Sequence, residues 1–263
     1  VDECGKVPFV VADDGTITFF PLRLDPATGD RIAEDGTYVL RDEGPVRYRP
    51  PYADRAGAWS AIDYDLASGL VAMGSSDGKV GLLELRFEPD FSGETRTITH
   101  SVEPGELLDL PEGSAPVRSI DLYEVDRPGT PRTRLVGVVG GQGENRTATV
   151  MVFTAKKSLF GAERLEKAAE LRLDEYLTAA PERVMVGGRG DRIFVVQADG
   201  SVAYFVYRDG ELSLEQSFFP FPGGIGVESA GWLLGRTSLS FVSEEGGNVV
   251  WSSYLDEEQG RIT

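Results

Sequence analysis

The chain has 263 residues, 41% of them hydrophobic, and its 43 acidic and 26 basic side chains give a net charge of −17. This length suits one large all-β domain or two small ones, burying roughly 70–75% of the unfolded surface without staples. The charge argues against nucleic acid, whose binding needs a basic face to displace counterions, and against tight capture of a bare anion on the general surface.

Cys4 is the single cysteine, which excludes an internal disulfide. No apolar run reaches the roughly 18 residues of a membrane span. The sequence starts at Val1 and shows no charged-then-apolar leader, so it reads as a processed form or a piece of something longer.

In chain order, the first element is PFVVADDGTITFFPL (8–22), an apolar run, an Asp-Gly turn and an alternating run. That pattern predicts a β-hairpin, because glycine accepts the positive φ of a two-residue turn without steric penalty. Residues 25–57 are a Pro/Gly-rich connection holding Arg41, Arg47 and Arg49, with TYVLR (37–41) as an outer-strand candidate. WSAIDYD (59–65) then reads as a short strand ahead of a second hairpin, SGLVAMGSSDGKVGLLEL (68–85), and TRTITHSV (95–102) as the strand after it.

The order repeats. VRSIDLYEV (117–125) precedes the hairpin RLVGVVGGQGENRTATVMVF (134–153), after an acidic connection at 103–116. Residues 156–170 contain good helix formers and predict one short rim helix, with AAELRL (168–173) as an outer strand. ERVMVGG (182–188), RIFVVQADGSVAYFVY (192–207) and ELSLEQSF (211–218) repeat the order. So do SAGWLLG (229–235) and LSFVSEEGGNVVWSSYL (239–255), beyond a tight connector at 219–228.

The five turn centres stand 47 to 67 residues apart. Inner strand, hairpin and outer strand make a four-stranded propeller blade, here with long outer loops. A lone hairpin is marginal in water, so blades must stack face to face. Ile193, Phe194, Val195 and Val196 accordingly leave no polar face. The fold class predicted is an all-β propeller of about five blade-like repeats, read as one domain over 1–263. The first repeat lacks an inner strand and the last lacks a full outer one, so its ends are incomplete or open.

Chemistry is thinly written. His100, the single histidine, sits mid-strand with no nucleophile elbow elsewhere. One His and one Cys exclude an ordinary zinc site, and DEEQG (256–260) lacks the spaced acidic calcium pattern. Glycoside hydrolysis needs two opposed carboxylates. Asp63, Asp65 and Asp121, in predicted inner strands, are the candidates for that rival reading, although no sugar-cleaving motif surrounds them. GVVGGQGEN (137–145) and VGGRGD (186–191) lead into no helix and lack the lysine-hydroxyl ending of a phosphate loop. Arg189-Gly190-Asp191 spells an adhesion tripeptide, and Asn145-Arg146-Thr147 fits the glycan acceptor pattern. Trp59, Trp232 and Trp251 read as blade-packing residues. No catalytic residue, cofactor site or metal ligand is assigned, and the chain is expected not to be an enzyme.

At 68–85 and 192–207 the chain resembles WD40-like propeller repeats, without the terminal Trp-Asp or the strand-linking His of that family. Glu84-Leu85, Val206-Tyr207 and Ser253-Tyr254 stand there instead. WSAIDYDLASGLVAMGSSDGKV (59–80) resembles the large extracytoplasmic domain of some bacterial phosphate-type ABC transporter permeases. That resemblance implies a periplasmic domain tethered to the inner membrane through a parent chain that spans it. Its implied partner is a protein, a solute-binding protein or another transporter subunit. Its implied role is docking or regulation of access to the pore. A free-standing interaction propeller is the alternative reading. At an effective dielectric near 20, each unpaired carboxylate about 4 Å from a phosphate charge costs about 4 kcal/mol. Direct phosphate capture would therefore need Arg41, Arg47 and Arg49 to build a local exception.

Overall fold

The computed structural model describes residues 7–25, 27–66, 68–90, 97–125, 131–157, 163–187, 190–233, 238–245, 251–256 and 261–262. Period-two alternation and Gly-centred turns over this length produce antiparallel hairpins, and the described chain is built from them. The first sheet holds β1 (Phe9–Val11), β2 (Ile17–Phe19) and, beyond a small ribbon of β3 (Ala33–Glu34) and β4 (Thr37–Tyr38), β5 (Val46–Tyr48). The second holds β6 (Trp59–Asp65), β7 (Leu70–Ser75), β8 (Lys79–Asp90) and β9 (Thr97–Asp109). The third holds β10 (Val117–Val125), β11 (Thr133–Gly140), β12 (Thr147–Lys157) and β13 (Glu163–Arg172). The fourth holds β14 (Pro181–Gly187), β15 (Arg192–Gln197), β16 (Val202–Arg208) and β17 (Glu211–Phe218). The fifth holds β18 (Val227–Leu233), β19 (Ser238–Ser243), β20 (Trp251–Asp256) and β21 (Arg261–Ile262).

Each sheet is antiparallel in simple order, and the architecture is a β-propeller of five blade-like sheets. The inner strands at 59–65 and 117–125 and the outer strand at 211–218 have the bounds read from the sequence. The incomplete first repeat is seen as a three-stranded sheet. The last repeat does have an outer strand, although β21 is only two residues long.

Alternation explains why the middle strands are apolar on both faces. Val71 and Met73 of β7 join the core shared by sheets one and two, while Leu70 and Ala72 join that of sheets two and three. Ile193 and Val195 of β15 face sheet three, and Phe194 and Val196 face sheet five. Among the described residues four such cores serve five sheets.

Two expectations are corrected. The described residues of 156–170 are strand, not helix: Lys156 pairs with Arg164 and Ala155 with Leu165 across the β12–β13 hairpin, whose connection at 158–162 lies outside the described residues. Helix propensity loses to tertiary context here. Leu165 packs on one inter-sheet core and Ala169 and Leu171 on another, which a strand permits. TYVLR (37–41) is not the outer strand of the first sheet. Thr37 pairs with Glu34 inside the ribbon, and β5 pairs with β2 instead. Beyond the ribbon, Arg41 Nη2 donates to the Ile98 carbonyl of β9 at 2.7 Å.

Gly74 marks a close approach between sheets. A Cβ there would stand 2.2 Å from Val117 Cγ1. Gly74→Val should destabilise the fold by about 1–3 kcal/mol or more through overpacking, read as a lower urea midpoint with an unchanged m value.

His100 supplies a pH test. Its ring lies 4.5 Å from that of Phe19, and burial first, then the Arg41 charge, hold its pKa below the usual histidine value. The folded chain therefore binds this proton less readily than the unfolded chain. Stability from this group is complete above the unfolded pKa of about 6.5 and is lost as pH falls below it. The Tm should drop between pH 7.5 and about 5.5, and His100→Gln should flatten that drop in calorimetry.

Candidate functional site at the propeller axis

The first strand of each four-stranded sheet pairs on one side only, so its other edge presents unpaired backbone groups. These strands share one register. A bulge after the first residue places Trp59, Val117, Pro181 and Val227 at equivalent positions. Four residues later stand Asp63, Asp121, Met185 and Gly231.

Side chains of one inner strand cap the open edge of the next. Asp63 Oδ2 accepts from the Leu122 N–H at 2.7 Å, and Asp121 Oδ2 accepts from the Val186 N–H at 2.6 Å. Both carboxylates do the same task one sheet apart. Ser60 Oγ donates to the Val117 carbonyl at 2.8 Å, and Arg183 Nη1 to the Ala230 carbonyl at 2.8 Å. Hydrogen bonds to a charged group contribute about 1.5–3 kcal/mol each.

Around these clasps is an axial cavity of about 610 Å³. Its wall is made by Ala61–Asp63, Arg118–Asp121, Glu182–Met185 and Ala230–Leu233, from the inner strands of sheets two to five. Arg118, Glu182 and Arg183 are exposed. Arg118 Nε also donates to the Gly141 carbonyl at 2.9 Å, and Arg146 pairs with Glu182 at 2.5 Å.

The Asp-Gly turns sit at the end where the inner strands begin, and each is tied to the segment that leads into its own sheet. Asp77 accepts from the Gly57 N–H at 2.8 Å and from Ser75 Oγ at 2.7 Å. In sheet four, Gln197 Oε1 accepts from the N–H groups of Thr178 and Ala179 at 2.8 and 2.9 Å, while Ser201 binds Asp199.

The sequence candidates separate. Asp63 and Asp121 both line the axial cavity, and each accepts a bond from a backbone N–H of the next inner strand. Asp65 is buried at the β6–β7 turn, where Ser68 Oγ donates to it. Arg41, Arg47 and Arg49 do not converge on an anion site. Arg41 binds the Ile98 carbonyl, Arg49 pairs with Asp14 at 2.9 Å and Asp54 at 2.5 Å, and Arg47 lies opposite Thr18. Trp59 packs edge-on to Tyr52, and Trp232 edge-on to Phe194 while lining the cavity. Asn145 is exposed on the β11–β12 turn. Cys4, Arg189 and the side chain of Trp251 lie outside the described residues.

Ser60, Arg118, Glu182 and Arg183 were not anticipated. The signal for the clasp was present as the shared Ile-Asp pair, Ile62-Asp63 and Ile120-Asp121, at one position of two repeats.

No family model matches the sequence, and no curated protein matches it. Among solved structures the chain is similar to one described as a "putative 6-phosphogluconolactonase" from Bacteroides fragilis. The identity is 12%, the TM-score is 0.41, and 100% of this chain and 82% of that one are covered. The expectation that the chain is not an enzyme is corrected here and withdrawn, because this neighbour is described as one. At that identity and TM-score the likeness brings no reaction, substrate or catalytic residue to this chain.

Asp63→Ala and Asp121→Ala should each cost about 1–3 kcal/mol, the penalty for a buried N–H left without its acceptor. The Asn variants, which keep an acceptor oxygen, should lose less than half of that. Chemical denaturation of the four variants measures both, and equal losses for Ala and Asn would remove the clasp.

Proposed function

We propose that this chain is the extracytoplasmic domain of a phosphate-type ABC transporter permease, and that it docks a protein partner on the face carrying the Asp-Gly turns. The observation that carries this reading is the commitment of the axial carboxylates to backbone clasps, which leaves the charged rim of the axial cavity as the recognition surface. Exposed Arg118, Glu182 and Arg183 line the cavity itself, exposed Glu228 and Glu244 line the depression that shares Glu182 and Arg183 with it, and exposed Glu144 lies in a further depression with Arg146, the partner of Glu182. These glutamates favour a partner with a basic surface, and complementary charge raises association rate and specificity more than affinity. The resemblance of residues 59–80 to the permease domain supplies the transporter context, and a solute-binding protein is the partner it favours.

Two measurements test this. The parent gene should encode apolar membrane-spanning segments flanking the region, and their absence on both sides ends the permease reading. The purified domain should bind the cognate solute-binding protein in interferometry, with association slowed by added salt. The double variant Glu144→Lys, Glu228→Lys should weaken it at least tenfold, and an unchanged affinity would move the docking face elsewhere.

A further inference from the structure

Four of the five sheets begin with an inner strand, whereas the first begins with β1 at its edge. The Phe20 N–H bonds to the Pro8 carbonyl and the Ala12 N–H to the Thr16 carbonyl. In an antiparallel ladder this phase turns Val10 toward β2 and turns the N–H and C=O of Phe9 and Val11 away from it. Among the described residues no strand pairs with that edge.

A second observation, on another sheet, marks the same place. Ile62 shares its register position with Ile120, Val184 and Ala230. Those three are 8%, 0% and 6% exposed, because each packs into the core shared with the preceding sheet. Ile62 is 49% exposed, and its preceding sheet is the one whose edge is β1. Val10 on β1 is 58% exposed, and Leu233, which lines the same axial cavity as Ile62, is 41% exposed.

We propose that the free edge of β1 accepts an extended segment of a partner polypeptide as the inner strand of the first sheet. The inner strands of this chain define the occupant: about seven residues, antiparallel to β1, with an apolar side chain covering Ile62. Backbone bonds to Phe9 and Val11 give affinity, and the cover over Ile62 gives selectivity, as in other strand additions. With a net charge of −17 on the chain, a segment with basic flanks is the favoured occupant. This goes beyond the docking face proposed above and holds whether or not the parent protein is a transporter.

The probe is a fluorescein-labelled peptide with the β10 sequence VRSIDLYEV between paired lysines, titrated into the full chain by anisotropy. One-to-one saturable binding is expected, at least tenfold weaker in Val11→Pro and in Ile62→Lys. Val11→Pro deletes an N–H on the free edge only, and Ile62→Lys leaves β1 untouched, so circular dichroism should show both folded. The amides of Phe9 and Val11 should gain protection from hydrogen exchange when the peptide binds. Equal affinity in all three proteins would overturn the proposal. So would full protection of both amides in the monomer alone, which would mean that the chain fills its own edge. A wild-type dimer that Val11→Pro dissociates would assign the edge to a second copy and overturn it equally.

Discussion

A sheet that points its first strand at a common axis leaves a row of backbone donors and acceptors with no ladder partner. Everything near the axis follows from how those groups are met. In this chain the answer is a side chain from the preceding sheet: a carboxylate to an N–H, a hydroxyl or guanidinium to a carbonyl. The same bonds set the phase between neighbouring sheets, since an aspartate on one strand reaches a single N–H of the next. The clasp thus does for stacked sheets what a ladder does for strands. It also gives Asp63 and Asp121, the acidic residues at the axis, a structural task.

Packing follows the same neighbour-to-neighbour rule. Each middle strand sends alternate residues into two different cores, so a substitution on one face is felt by one neighbour and not the other. Gly74 and Gly137 stand where an inner strand comes too close for a side chain, against Val117 and against Val184 with Val186. The hydrophobic effect holds the sheets together without direction, and the clasps and close contacts supply the register.

Most of the fold was legible because two signals agreed. Asp-Gly turns fixed the hairpins, and period-two alternation fixed the strands beside them, so the inner strands at 59–65 and 117–125 were found to the residue. Legibility failed where local preference and tertiary demand diverge. Glu163–Arg172 is rich in helix formers, yet its leucines and alanines meet two cores only as a strand. The ribbon at Ala33–Tyr38 interrupts the first sheet and displaced the expected outer strand to Val46–Tyr48. At the site, strand phase placed Asp63 and Asp121 at the axis. Their task stayed hidden because a bond to a backbone N–H some 60 residues away leaves no mark on side-chain identity.

Among the described residues four cores join the five sheets in series, with the third sheet in the middle. In such a series each end sheet shares one described core, and stability is a sum of blade terms and nearest-neighbour terms. Opening then begins at the ends and travels inward, so local free energies rise from the first and fifth sheets toward the third. On that account Gly231, beside which the fifth sheet has open space, belongs to the part of the molecule that opens at the lowest cost, and the core around Val136, Val138 and Met151 to the part that opens last.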